Sequence, residues 1–86
     1  MNLKSHFSKD VYHARKNKPK LTPNEPKLTQ QRVAEDIHIC LREYQKIEKG
    51  ELLPRTEIFL RLVFYFNLDI QSYREDVFKK DKEESS

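Results

Sequence analysis

The chain has 86 residues, of which 36% are hydrophobic and 36% charged, with a single glycine and four prolines. A chain of this size holds one small domain with a thin core, and so little glycine argues against an all-β sandwich, which needs many turns; the expectation is all-α. The formal net charge of +3 is unevenly placed: residues 1–36 carry eight Lys/Arg against four Asp/Glu, and residues 37–86 carry nine against ten. The first part therefore suits a polyanion or is simply a solvated face.

The single cysteine excludes an intramolecular disulfide and fits a reducing compartment. The opening MNLKSHFSKD has no apolar run, and nowhere do eighteen apolar residues follow one another. Neither a signal peptide nor a membrane span is expected, and the expected location is cytoplasmic.

Residues 5–16, SHFSKDVYHARK, are expected to form a first helix with Phe7, Val11 and Ala14 at core spacing and Ser5 or Ser8 as its cap. Over 17–27, NKPKLTPNEPK, Pro19, Pro23 and Pro26 deny a helix and favour an extended path. Its lysines make it either a basic arm that touches phosphates or a solvated loop inserted in the domain.

The stretch 28–50, LTQQRVAEDIHICLREYQKIEKG, reads as two short helices joined by a tight turn. Val33, Ala34 and Ile37 share one face of the first, and Tyr44 and Ile47 share one face of the second. Thr29 sits at an N-cap position, with Leu28 and Val33 placed as a hydrophobic staple around it. Ile39 and Tyr44 repeat the staple around Cys40, and Glu43 three residues on makes a weak capping box. Only His38 and Ile39 lie between the helices, enough for a sharp turn.

Gly50 is a left-handed stop. After the linker ELLP, the letters TEIFLRLVFYF over 56–66 bury Ile58, Phe59, Leu62 and Phe66 along one stripe if helical. Leu60, Val63, Phe64 and Tyr65 leave almost no polar face, which predicts a helix wrapped on most sides, although the same letters also suit a buried strand. Asp69 is placed to cap a last helix, with Leu68 and Tyr73 as a third staple and Ile70, Tyr73, Val77 and Phe78 on its inner face. The domain is expected to span 1–78, with 79–86, KKDKEESS, as a disordered charged tail.

His6, Asp10, His13, His38 and Cys40 raise the question of a metal. His6 and Asp10 share a helical face, but His13 is displaced from it, Cys40 is on another element, and no CxxC or HExxH spacing exists. Neither a metal nor a cofactor is expected. With no local Ser/His/Asp or Cys/His set and no glycine loop, an enzyme is not expected either.

The register LTQ, Val33-Ala34, Ile37, Ile39, Tyr44 and KIEKG, followed without a gap by Pro54, Glu57, Leu60, Leu62, Phe66 and Leu68, resembles the lambda-repressor-like (Xre/Cro) DNA-binding family over residues 28–73. The resemblance implies a small five-helix domain with a helix-turn-helix. It favours helix over strand for 56–66, with Asn67 as the left-handed stop, and matches Arg15 to an arginine common near the end of the family's first helix. Four departures stand out: the insertion at 17–27, His38 where the family usually has a glycine with positive φ, Leu41 where a polar residue is common, and Phe64 with Tyr65 where polar or small residues are more usual, which hints at an extra contact surface.

In such a domain the second motif helix, here around 40–48, lies in the major groove of double-stranded DNA. The resemblance then assigns Leu41, Arg42, Gln45 and Lys46 as the reading head, with Arg42 suited to guanine, Gln45 to adenine or a phosphate, and Leu41 to a thymine methyl. It makes Gln30 a backbone contact that braces the reading helix, and Lys49 and Arg55 phosphate contacts. Glu43 is left to its capping role. Because the family often dimerises through C-terminal helices, Phe64, Tyr65, Tyr73, Val77 and Phe78 become the candidate interface of a homodimer. The implied function is a sequence-specific transcriptional regulator, as a repressor in the first instance. The alternative is a module that binds a protein partner, such as an antitoxin or accessory factor, through the apolar surface of 56–78.

Overall fold

In a computed structural model, which describes residues 2–17 and 27–78, helix α1 runs Leu3–Asn17. Most of the expected arm and all of the expected tail lie outside the described residues. Helix α1 starts earlier than its serines suggested. The Ser5 amide donates to Asn2 Oδ1 at 2.8 Å and the His6 amide to the Asn2 carbonyl at 3.0 Å, so Asn2 is the cap. Ser8 instead lies buried within the helix, where its hydroxyl donates to the Glu48 carbonyl at 2.6 Å. Phe7 and Val11 face the core as their spacing predicts, and Ala14 is half-buried.

Helix α2 spans Gln30–Ile37, and Thr29 caps it by accepting from the Arg32 amide at 3.1 Å. Thr29→Ala is expected to cost about 0.5–2 kcal/mol, read as a lower denaturant midpoint at unchanged slope. The helix ends where His38 turns left-handed, at φ 64°. The His38 amide donates to the Glu35 carbonyl and the Ile39 amide to that of Ala34, a double closure that satisfies two end carbonyls. Arg61 Nη1 satisfies a third, donating to the Ile37 carbonyl at 2.9 Å.

Helix α3, Leu41–Lys49, follows after two residues. Cys40 holds the extended backbone of an N-cap, but its side chain makes no capping hydrogen bond. The expected capping box is therefore not formed, because a thiol is a weak acceptor. Glu43 keeps only the favourable position of an anion in the first turn. Gly50 ends α3 at φ 79°, with its amide and that of Glu51 donating back to Ile47 and Lys46. Glycine suits this site because it adopts positive φ without the penalty of a Cβ.

Helix α4, Thr56–Phe66, is indeed a helix and stops at Asn67 with φ 54°. Asp69 then accepts from the Gln71 amide and starts a 3-10 turn, Ile70–Tyr73, that continues as helix over 74–78. The described residues contain helices and no strand, as composition led us to expect. None of these helices is long and apolar enough to cross a membrane.

The core joins Phe7 and Val11 of α1, Val33, Ala34 and Ile37 of α2, Tyr44 and Ile47 of α3, Ile58, Leu62 and Val63 of α4, and Tyr73. Two expectations change here. Helix α4 is not wrapped on most sides: Ile58, Leu62 and Val63 face inward, Phe59 and Phe66 are only partly covered, and Phe64 on the far side is 77% exposed. A domain this thin has a core on only one side of the helix. The last segment likewise turns in only Tyr73, while Ile70, Val77 and Phe78 stay largely open. Its anchors are few. The Tyr73 ring meets Phe7 and Phe59 edge-on, its hydroxyl donates to Asp10 at 2.8 Å, and Asp76 lies 2.6 Å from His6 Nδ1.

Candidate functional site

Along α3 the side chains divide by helical period. Tyr44, Ile47 and Glu48 point into the domain, whereas Arg42, Lys46 and Lys49 recur every three to four residues on the exposed face. None of these three cations has a carboxylate partner among the described residues, and neither does exposed Arg55. The cations that do pair lie elsewhere: Arg32 with Asp36, and Arg61 with Glu57. A row of unpaired cations on a rigid helix is an attractive surface for a polyanion. Leu41 and Gln45 are half-buried at its border, so they are displayed less fully than Arg42 and Lys46.

Gln30, the first residue of α2, connects this face to the interior. Its Nε2 donates to Glu48 Oε1 at 3.0 Å, and its Oε1 accepts from Gln45 Nε2 at 3.3 Å. Both ends of the amide are thereby used within the protein, and the Gln45 side chain is held at the base of the exposed row. Gln30 thus contacts two residues of α3, Gln45 and Glu48.

Glu48 is the residue that sequence reasoning passed over. Its side chain is only 3% exposed, and its carboxylate meets Arg15 through Nε at 2.5 Å and through Nη2 at 3.0 Å. Arg15 also donates from Nη1 to the Leu28 carbonyl at 3.2 Å, tying α1 to the chain entering α2. Burial on its own would raise the Glu48 pKa. Hydrogen bonding from Arg15, with Gln30 adding to it, outweighs burial and holds the carboxyl below its ordinary range. The same hydrogen bond raises Arg15 against the opposing effect of burial. The Tyr44 hydroxyl lies in the same buried neighbourhood, and burial first, then the adjacent carboxylate, raises its pKa strongly. A signal for Glu48 existed: with Tyr44 and Ile47 it occupies the inward i, i+3, i+4 stripe of α3. A carboxylate on such a stripe requires a buried cation as partner.

The candidate interface residues separate. Phe64, Val77 and Phe78 are open, whereas Tyr73 is 2% exposed and belongs to the core, so it is not available to a partner. Tyr65 is half-buried and donates its hydroxyl to Asp36 at 2.6 Å; burial and that carboxylate push its pKa up to about 12. The open residues of the last segment border a groove of about 430 Å³ against α4. His6 lies 3.4 Å from Asp10 and 2.6 Å from Asp76, an arrangement in which the groups satisfy one another. Among the described residues no group of three or more His, Cys, Asp or Glu side chains is placed to hold a metal ion.

No protein-family model, curated protein or solved structure matches the chain.

Proposed function

We propose that the chain is a sequence-specific, double-stranded DNA-binding regulator in which α2 and α3 form a helix-turn-helix of the lambda-repressor-like (Xre/Cro) kind. The observation that supports it best is the exposed row Arg42, Lys46 and Lys49 on α3, unpaired among the described residues and backed by the Gln30–Gln45 contact. In this reading the amino-terminal part of α3 enters the major groove. Arg42 grips guanine O6 and N7 with two hydrogen bonds, Leu41 meets a thymine methyl, and Gln45 takes an adenine edge or a phosphate. Lys46 adds a less selective contact, while Lys49 and Arg55 neutralise phosphates. A homodimer would present two such helices to half-sites one helical turn apart, roughly 34 Å, and repression follows if the site overlaps a promoter.

The test is fluorescence anisotropy with duplex DNA from upstream of the chain's own gene, against a scrambled competitor at ~0.15 M and lower salt. Saturable binding that survives the competitor is expected. Arg42→Ala should weaken it by about 1–3 kcal/mol, roughly five- to 150-fold, with a smaller effect on the scrambled duplex. Equal binding to both duplexes, present only at low salt and indifferent to Arg42, would remove the reading.

A second reading is favoured by a separate observation, the 77% exposure of Phe64 together with the open groove beside α4. A large apolar residue so displayed, on a domain that also carries an apolar concavity, suits a protein partner, as in an antitoxin or accessory factor. The same titration separates the two, because an Arg42-indifferent protein leaves α3 as a scaffold and the apolar side as the working face.

A further inference from the structure

We propose that the groove between α4 and the segment 70–78 is a binding site for an amphiphilic carboxylate, a small molecule with an apolar body and one negative charge. The site lies apart from α3 and does not depend on the DNA-binding reading. Its volume of about 430 Å³ falls within the roughly 300–1,000 Å³ typical of small-molecule pockets. Phe59, Leu60, Ile70, Val77 and Phe78 supply apolar walls, and Arg74 is the one charged residue among the described residues that line it. This is the composition of a ligand site: mostly apolar, with a single group to fix orientation.

Arg74 is prepared for an anion. Its guanidinium carbon sits 5.5 Å from the centre of the Phe78 ring, so the aromatic face orients the group. It has no hydrogen-bond or carboxylate partner among the described residues. A guanidinium whose edge donors are unspent matches a carboxylate with two parallel hydrogen bonds. Among the described lining residues, which apart from Thr56 and Tyr73 are otherwise apolar, one cation balances one negative charge and fits a carboxylate better than a doubly charged phosphate. The exposure of Ile70, Val77 and Phe78, 44%, 45% and 54%, is what the apolar body of such a ligand would cover.

The test is a ¹H–¹⁵N NMR titration of the full chain with sodium octanoate at ~0.15 M salt, with 1-octanol as the uncharged comparison. The expected result is saturable shifts at the Leu60, Ile70 and Val77 amides and tighter binding of octanoate than of octanol. Arg74→Gln should weaken octanoate about tenfold or more and leave octanol unchanged. Lys9→Gln, which removes the same charge from an exposed position of α1 outside the groove, should change neither. Any of three results would overturn the site. The first is no saturable shift at those amides; the second is equal loss in the two variants, which would mean general charge attraction. The third is shifts that follow protein concentration instead of octanoate, which would mean that a second copy fills the groove.

Discussion

Glu48→Ala is expected to lower folding stability by about 3–5 kcal/mol, the cost of removing one partner from a buried ion pair. For a small domain that is a large share of the roughly 5–15 kcal/mol available. The loss has a definite origin. Arg15, whose side chain is 11% exposed, would be left charged and buried without its carboxylate, and the Gln30 amide would lose its acceptor. The pair itself need not be worth that much, since replacing both members by apolar groups of similar volume is often neutral. Arg15→Met with Glu48→Leu should therefore recover most of the loss caused by Glu48→Ala.

The acid limb follows the same residue. Because the folded state holds the Glu48 pKa below its unfolded value, its contribution is fully present above the unfolded carboxyl pKa, about 4.3. It is lost as pH falls through the folded value. Urea unfolding at pH 7 and at steps down to pH 3 should show wild-type stability dropping below about pH 4, with a shallower drop in Glu48→Ala. A single-variant loss under about 1 kcal/mol, or identical acid limbs, would mean that the Arg15–Glu48 contact is solvated and carries little, as exposed pairs do.

Thr29, Gly50, Asn67 and Asp69 were legible in the sequence because a cap or a left-handed stop is decided within a few residues. The inward stripes of α2 and α3 were legible for a similar reason, since helical period alone places Val33, Ile37, Tyr44 and Ile47. The start of α1 was misplaced because polar candidates at positions 2, 5 and 8 compete, and Asn2 wins over Ser5 by extending the helix three residues, nearly one turn. Glu48 was hidden because its partner lies 33 residues away, in a different helix. The last segment was misread in another way: Ile70, Val77 and Phe78 were placed on its inner face together with Tyr73, and only Tyr73 turns in. Which of its faces turns inward is set by what α1 offers, here Phe7 and Asp10. Among the site residues, the exposed positions Arg42, Lys46 and Lys49 follow from period, whereas the clasp that holds Gln45 needed the tertiary structure.

Phe7→Ala is the second change expected to have a large effect, about 3–5 kcal/mol for a buried phenylalanine. Phe7 is 1% exposed and its ring stacks on Phe59 at 4.3 Å while Tyr73 meets it edge-on at 5.6 Å. It is thus the floor on which the segment 70–78 rests, and that segment has few other anchors: the Tyr73 ring edge-on to Phe59 and His6, Tyr73 to Asp10, and Asp76 beside His6. Helices α2 and α3 are joined through Gln30, Gln45 and Glu48 and do not depend on the Phe7 ring for that contact. The loss should therefore be uneven. Native-state hydrogen exchange under mildly stabilising conditions should show amides of 70–78 opening well before those of α3, by a margin wider than in wild type. Tyr73→Phe, which removes only the hydrogen bond to Asp10, should loosen the same segment by about 0.5–1.5 kcal/mol. Uniform loss of protection across α3 and 70–78 in Phe7→Ala would instead mean that the last segment is an inseparable part of the core, and that its open apolar side chains belong to a rigid surface.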